Sequence, residues 1–457
     1  MAGTGIRNWN LARVLAAEHD VTLAAPSGVD IDPPSGATLT SFPDRKRDPE
    51  HLGRWQAALV EEHEIIIGQS VPYYECDRDV LAERRIVIDL YAPAILEKLE
   101  FARIDEHTGE SERRDDVRSL NRLLALGDFF ICASERQRDF WLGALAAAGR
   151  LSGEHARRDP MFRTLIDVVP FGLPESPPEH TGHGPAATIP GVNEHDPILL
   201  WNGGIWNWLD PLTAIRAVAS LTEEIPDIRL VFMGVRNPLQ RDVEMRTAEQ
   251  ARQLAADLGV LDRHVFFNDW VPFDQRQDWL LESRAAISLH HPTLESRFAF
   301  RTRMLDLLWC QVPMIVSAGD VLAEHVQDRG LGIVVQSGAV DETADAIRSV
   351  LDPDEHARYA ANLRAAADDY TWERASRALL EYCRQPRIID ERRGVDPSAE
   401  YIHRLERTYT ETAEYARHLE SVIEEQSARR DAGTGARLRR IANTLSRGAR
   451  GILGRNS

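Results

Sequence analysis

Glu295, Arg297, Arg301, Arg303 and Asp306 fall within 12 residues of one another, in the segment HHPTLESRFAFRTRMLDLLWCQVPMIVS (290–317). The segment leaves one apolar run and enters another, which places the charges at a strand end. Burial there is costly unless the charges pair with each other or with a ligand. Arginine forks match diphosphate and carboxylate oxygens, and an acid beside them accepts hydrogen bonds from sugar hydroxyls. The alternative is an internal Glu–Arg salt-bridge network at a domain edge. His290 and His291 lack the carboxylate–histidine spacing of a metal site and are expected as strand-end residues near a cleft.

Two glycine turns accompany this cluster. LLWNGGIWNWLDPLTAIRAVASL (199–221) reads as a strand that ends in Gly203-Gly204 and passes through a short loop into a helix. The glycines remove Cβ atoms where a diphosphate would come close; a tight strand-to-helix turn is the alternative. Trp206 and Trp208 in the loop suit a hydrophobic lid or a sugar-stacking platform, and Asp210 reads as an N-cap. MAGTGIR (1–7) sets Gly3 and Gly5 before a helix expected over Asn8–Ala17, and backbone N–H groups at a helix start suit an anion. The alternative is a flexible N-terminus. Such a turn normally follows a strand, and none precedes Gly3 in this sequence. The first strand is therefore expected upstream of Met1, outside this sequence or behind an earlier translation start.

The elements that must hold these residues are legible as short apolar runs between amphipathic stretches. HDVTLAAP (19–26), EIIIGQS (64–70), RIVIDLY (85–91) and FFICAS (129–134) are continuous rather than alternating, as expected of parallel strands covered on both faces. Residues 175–197, rich in Pro, Gly and His, mark a connection between domains. The same grammar restarts with PILLWNGG (197–204), a helix over 209–222, RLVFMG (229–234), a helix over 242–258, HVFFNDWV (264–271), AAISLHH (285–291), VPMIVSAG (312–319) and LGIVVQ (331–336). This predicts an α/β chain with two doubly wound parallel sheets, ligands binding at the strand ends in the cleft between them. The domains are expected at 1–178 and 198–385, joined by a linker at 179–197 and followed by a helical and basic tail at 386–457.

In that tail, Tyr401, Leu405, Tyr415, Leu419 and Ile423 approach heptad spacing over 398–427, which suits a short coiled coil or an amphipathic helix on the body. Residues 433–457 carry six arginines and no acid, interleaved with Leu438, Ile441, Leu445, Ile452 and Leu453. This pattern suits an anionic membrane surface or a disordered basic tail.

Composition narrows the class. The 457 residues hold 54 Lys+Arg against 72 Asp+Glu, a formal charge of −18 that disfavours a general nucleic-acid binder. Lys46 and Lys98 are the only lysines, so cationic chemistry in the second half rests on arginine. Cys76, Cys132, Cys310 and Cys383 stand singly, unlike a zinc knuckle, a redox pair or a secreted disulfide framework. With no apolar run of membrane-spanning length and no signal-peptide pattern, a cytoplasmic protein is expected, soluble or peripheral at the inner membrane face.

The ordered set of motifs resembles a family 4 (group 1) glycosyltransferase of the GT-B type over about residues 1–385. It comprises MAGTGIR with NLARVLAAEHDVTLAAP, VVPFGLP (168–174), the NGG loop, RLVFMG, HVFFNDWVP (264–272), the stretch 295–306 and YTWERAS (370–376). The resemblance implies two Rossmann-like domains, an acceptor site on the first and a nucleotide-diphosphate sugar on the second. It also implies transfer with retention of anomeric configuration and no obligatory metal or other cofactor. Carried onto this sequence, Gly3 and Gly5 form the glycine loop near the donor phosphates, alongside Gly203 and Gly204. Trp270 and Val271 form the segment whose backbone faces the nucleotide base, Glu295 touches the donor sugar hydroxyls and Asp306 holds the ribose. Two features depart from the family pattern. Glu295 and Asp306 are eleven positions apart where the family has eight, and NGGIWNWLDP lacks the family's diphosphate-neutralising Arg and Lys. Arg236, Arg297, Arg301 or Arg303 is expected to replace them, with Glu295, Arg301 and Arg303 as the catalytic candidates. The acceptor class implied is a cell-surface glycan or glycolipid. A non-catalytic GT-B binding or scaffold protein, or another GT-B enzyme such as an epimerase or phosphorylase, remains the alternative.

Overall fold

The computed structural model describes residues 3–28, 31–43, 49–70, 78–102, 106–235 and 246–389, with Thr412, Tyr415 and Leu419 beyond them. Arg236, the remainder of the 398–427 helix and the basic segment 433–457 lie outside the described residues, as does Cys76. The chain divides into two units, 1–392 and 393–457. In the second, Tyr415 and Leu419 are helical and exposed. Among the described residues no helix is long and apolar enough to cross a membrane.

Among the described residues twelve strands carry the first unit: β1 (Val21–Pro26), β2 (Ala37–Phe42), β3 (Ile65–Gly68), β4 (Arg85–Asp89), β5 (Phe129–Cys132), β6 (Ile166–Val168), β7 (Ile198–Trp201), β8 (Arg229–Phe232), β9 (Val265–Phe267), β10 (Ala285–Ser288), β11 (Met314–Ser317) and β12 (Gly332–Val335). All pairings are parallel. Among the described residues the second half forms one sheet in the order β12-β11-β10-β7-β8-β9, and the first half forms two, β1-β2 and β3-β4-β5-β6. The apolar runs predicted the central strands well. Strands β7, β8, β10 and β11 are buried at every position, because helices cover both faces of the sheet.

Helix starts follow their capping residues. Asp210 accepts from the Thr213 N–H at 3.1 Å and from its hydroxyl at 2.7 Å, with Pro211 at the first helical position, as its place in the sequence suggested. The connection at 179–197 is not a free linker. Buried Asp278 accepts from the Thr181 N–H at 2.8 Å, the Thr181 hydroxyl at 2.7 Å and the His183 N–H at 2.7 Å, which ties the segment to the second domain. Burial opposes ionisation here, but those donors hold the Asp278 carboxyl below the usual carboxylate range. Asp278→Ala leaves them without their acceptor and is expected to cost about 3 kcal/mol, read as a lower urea midpoint at unchanged slope. Because the folded value is depressed, the stabilisation is fully present above about pH 4 and is lost as pH falls through the lowered value. The variant's stability should therefore depend less on pH in acid.

The last helices cross back to the first domain. The Leu173 N–H donates to the Tyr370 carbonyl at 2.7 Å, Tyr382 stacks on Phe129 at 4.6 Å between ring centres, and the Ile389 N–H donates to Asp128 at 3.1 Å. The helix Arg377–Arg384, which the sequence pattern assigned to the second domain, thus packs on the sheet of the first. One apolar cluster runs from Leu11, Val87 and Phe129 through Leu305 and Met314 to Tyr370 and Leu379.

Candidate active site at the switch point of the second sheet

The second sheet grows outward from β7 through β8 to β9, then returns to β7's other edge to add β10, β11 and β12. Strand order reverses between β7 and β10, and ligands of such sheets bind beyond the carboxyl ends at that reversal. The loop after β7 carries Gly203 and Gly204; the loop after β10 carries His290, Glu295 and Arg301. Backbone bonds clamp the two loops together: the Asp210 N–H donates to the Leu289 carbonyl at 2.9 Å, and the His291 N–H to the Trp208 carbonyl at 3.0 Å.

Glu295 lies in the short helix Leu294–Phe298, capped by Thr293. Its carboxylate is buried and held bidentately by Arg301, Nη1 to Oε1 at 3.0 Å and Nη2 to Oε2 at 2.7 Å. The Nε of Arg301 and the Nε2 of His290 have no hydrogen-bond partner among the described residues, and both face Asp320 Oδ2, at 3.8 and 3.4 Å. His290 Nδ1 lies 3.1 Å from the His291 carbonyl. His290 is thus a buried member of the cluster, while His291 is exposed.

Arg303 begins the next helix, Arg303–Cys310, and behaves differently. Its guanidinium lies against the glycine loop: Nη1 donates to the Gly204 carbonyl at 3.3 Å, while Asn202 Nδ2 donates to the Arg303 carbonyl at 2.7 Å. Gly203 has φ +134°, a conformation that favours glycine, and a Cβ there would sit 3.2 Å from Arg303 Cζ, so the arginine would have to shift by a few tenths of an ångström to admit one. Among the described residues Arg303 forms no ion pair. Burial, then the neighbouring Arg301 charge, pulls its pKa down to about 10, which still leaves it cationic at neutral pH. Asn202 Oδ1, buried beside it, likewise lacks a hydrogen-bond partner among the described residues.

The other expected site residues separate. Asp306 is on the helix of Arg303 but pairs with Arg276 at 3.2 Å. Burial outweighs that cation, and the Asp306 carboxyl is pushed above its ordinary range. Trp270 is exposed and lies across Gly234 at the end of β8, 3.6 Å from the place of a Cβ. The side chain of Val271 is in the core. Arg297 is exposed, its guanidinium 5.8 Å from the Phe298 ring centre. Trp206 and Trp208 stack at 5.3 Å, nearly parallel, above the glycine loop. Gly3 and Gly5 were expected in a loop before the helix; instead they lie inside it, in the first turn of Gly3–Leu15, because the helix starts five residues earlier than its apolar period suggested.

The first domain contributes residues that the sequence did not single out. From the helix Glu135–Ala147, Gln137 donates to the Tyr91 carbonyl at 2.9 Å and the Phe298 carbonyl at 2.8 Å. Arg136 donates to the carbonyls of Arg297 at 3.0 Å and Gly319 at 2.8 Å and pairs with Glu324. These bonds fix the Glu295 helix against the first domain. Glu97, on the helix Ala94–Ala102 packed beside that helix, has its carboxyl pushed upward, first by burial and then by the Glu295 charge. Glu97 and Gln137 sit in ordinary amphipathic helices, so no local pattern marks them. Asp89 was findable, as an acid that directly follows the apolar run Ile86-Val87-Ile88. It is buried and held by Arg7, Nε to Oδ2 at 2.6 Å and Nη2 to Oδ1 at 2.9 Å.

Comparisons with known proteins bear on the second half of the chain and on the fold. A family described as "Glycosyl transferases group 1" matches residues 196–353, the span from β7 through the helix that follows β12. D-inositol 3-phosphate glycosyltransferases are similar in sequence. That of Actinosynnema mirum is 27% identical over 245 residues, 53% of this chain and 56% of the relative; that of Mycobacterium marinum is 27% identical over 227 residues, 49% and 45%. The match thus spans about half the length of these curated relatives. Among solved structures, sucrose-phosphate synthase from Thermosynechococcus elongatus superposes with a TM-score of 0.59 at 15% identity, covering 84% of this chain and 93% of that one. Anabaena HepE, solved with UDP and glucose, gives 0.56 at 15%, covering 84% and 96%. At that identity the likeness speaks for the fold. Residues 196–353 thus match the glycosyl transferases group 1 model, and the chain shares the fold of these GT-B structures, an α/β architecture built on parallel sheets.

Proposed function

We propose that the protein is a retaining glycosyltransferase that moves a sugar from a nucleotide-diphosphate sugar to a cell-surface glycan or glycolipid acceptor. The observation that carries this reading is Arg303: a cation without an acidic partner among the described residues, pressed against the Gly203–Gly204 loop at the switch point. Cleavage of a nucleotide-sugar bond develops negative charge on the leaving diphosphate, and a fixed cation beside backbone approachable through glycine stabilises that charge where it forms. Arg301 is bound to Glu295, so it serves to orient that carboxylate, which suits Glu295 to a donor-sugar hydroxyl. Asp306 and Trp270 are the ribose and base candidates, on the side of the cleft beyond β8 and β10. Domain closure over the site would exclude water and suppress hydrolysis of the donor.

The curated relatives make an inositol phosphate the first acceptor to try, and the UDP held by HepE makes UDP-sugars the first donors. The test is thermal stabilisation by a panel of nucleoside diphosphates and nucleotide sugars, repeated with Glu295→Gln. The expected result is selective stabilisation by one nucleotide, with its sugar conjugate held about tenfold more weakly by the variant. A new glycoside and free nucleoside diphosphate would then show transfer. No stabilisation of the folded protein by any of them would move the assignment to a non-catalytic binding protein.

A further inference from the structure

The helix Glu135–Ala147 of the first domain starts just after β5, and its first turn reaches across to the second domain. Gln137 is fully buried there, and its primary amide offers two donors and one acceptor. Oε1 accepts from the Ala133 N–H at 2.8 Å, while Nε2 donates to the Tyr91 carbonyl of the first domain at 2.9 Å and to the Phe298 carbonyl of the second at 2.8 Å. A carboxylate of the same shape would keep only the first of these bonds. Arg136, half-exposed, ties two loops at once: Nη1 donates to the carbonyls of Arg297 at 3.0 Å and Gly319 at 2.8 Å, and Nη2 pairs with Glu324. The Phe140 ring, one turn further on, lies 4.9 Å from that of Phe298. The three carbonyls bracket the buried charges of the second domain. Arg297 and Phe298 stand between Glu295 and Arg301 in the chain, and Gly319 precedes Asp320, whose Oδ2 is 3.8 Å from Arg301 Nε.

We propose that Arg136 and Gln137 are positioning residues for the donor sugar: they clamp the loops after β10 and β11 to the first domain and so hold Glu295 where a sugar hydroxyl meets it. The ligand in this proposal rests on the glycosyl-transfer reading; the clamp rests on the bonds above. The helix that carries Glu295, Leu294–Phe298, has five residues, and a single turn does not hold its own shape in water, so its place is set by what it is tied to. The Arg301 fork does not supply that anchor. Arg301 lies in the same loop, and its Nε is too far from Asp320 for a hydrogen bond, so the Glu295–Arg301 pair can move as one piece. The carbonyls of Arg297, Phe298 and Gly319 are the points at which that piece is fixed from outside. The diphosphate end of the site is held differently: Asn202 binds the Arg303 carbonyl and Arg303 the Gly204 carbonyl, all within the second domain. The clamp forms only with the two domains closed on each other, so closure completes the sugar end of the site and leaves the diphosphate end as it was.

The test variant is Arg136→Ala in the full chain, because the side chain is half-exposed and its acidic partner Glu324 is exposed, so folding is not at stake. Backbone hydrogen exchange of Leu294–Phe298 is followed, with β7 and β8 as internal standards. The expected result is exchange at least ~10-fold faster in the variant, with the standards unchanged. Both chains are then titrated with UDP, GDP, ADP and TDP, each beside its glucose conjugate. The expected result is an unchanged affinity for the nucleoside diphosphate that binds and an affinity about tenfold weaker for its conjugate, part of which Arg136→Lys recovers. Equal exchange in two folded chains overturns the clamp. Equal weakening of the diphosphate and its conjugate overturns the positioning role, since a general loosening of the domain would affect both. Binding of none of these ligands by the folded parent chain counts against the glycosyl-transfer reading and removes the sugar-positioning role with it, and the exchange result then decides the clamp by itself.

Discussion

Arg303→Ala is expected to lower kcat/KM for nucleotide-sugar turnover by about 10²- to 10³-fold, about 3–4 kcal/mol of transition-state stabilisation, while leaving the urea midpoint nearly unchanged. The asymmetry follows from its contacts. Arg303 forms no ion pair among the described residues, so its removal strands no buried carboxylate; its hydrogen bond to the Gly204 carbonyl is a weak one at 3.3 Å. Arg303→Lys should recover only part of the activity, because a point charge replaces a planar fork. Arg301→Ala serves as the contrast. It leaves Glu295 buried without its bidentate partner, so stability should fall along with activity. Turnover by Arg303→Ala within a few-fold of the parent chain would show that another cation neutralises the diphosphate.

Arg7→Ala is expected to destabilise the first unit by about 3–5 kcal/mol, measured by urea unfolding. Arg7 is fully buried in a helix that otherwise carries the apolar residues Leu11, Val14 and Leu15 to the core. Its guanidinium pairs with Asp89, donates to the Pro170 carbonyl at 3.2 Å and lies against the contacting rings of Tyr91 and Phe171, 5.1 and 5.2 Å from their centres. Among the described residues, truncation leaves the Asp89 carboxylate with only the Tyr91 N–H at 3.3 Å. Replacing both members of the pair by apolar residues should cost less than Arg7→Ala alone, since no buried charge then remains. A loss below about 1 kcal/mol for the single variant would show that water reaches Asp89.

The two predictions also separate what can be read locally from what cannot. The apolar runs around β1, β3, β4, β5 and the strands of the second sheet were visible because both faces of a parallel sheet must be apolar, a requirement that each strand meets by itself. Strand β2, ATLTSF, escaped notice: half its residues are polar, and it lies at an edge where burial is incomplete. The Gly203–Gly204 turn was legible as a strand-to-helix glycine pair, and the cluster 295–306 as a concentration of charge that needs partners. Which arginine takes which partner was not legible. Arg301 and Arg303 are two positions apart, yet one closes on Glu295 within the loop after β10 while the other reaches the loop after β7, a hundred residues away in sequence.

The α/β class, the strand–helix grammar of both halves, the glycine pair after β7 and the charge cluster after β10 were therefore readable along the chain, since these follow from periodicity and side-chain chemistry along short stretches. The tertiary structure alone decided the switch point that brings the β7 and β10 loops together and the return of the last helix to the first domain. It also decided the grip of Gln137 and Arg136 on the Glu295 helix. Each of these depends on residues distant in the chain, where strand order, burial and charge compensation are settled by packing and leave no local period to read.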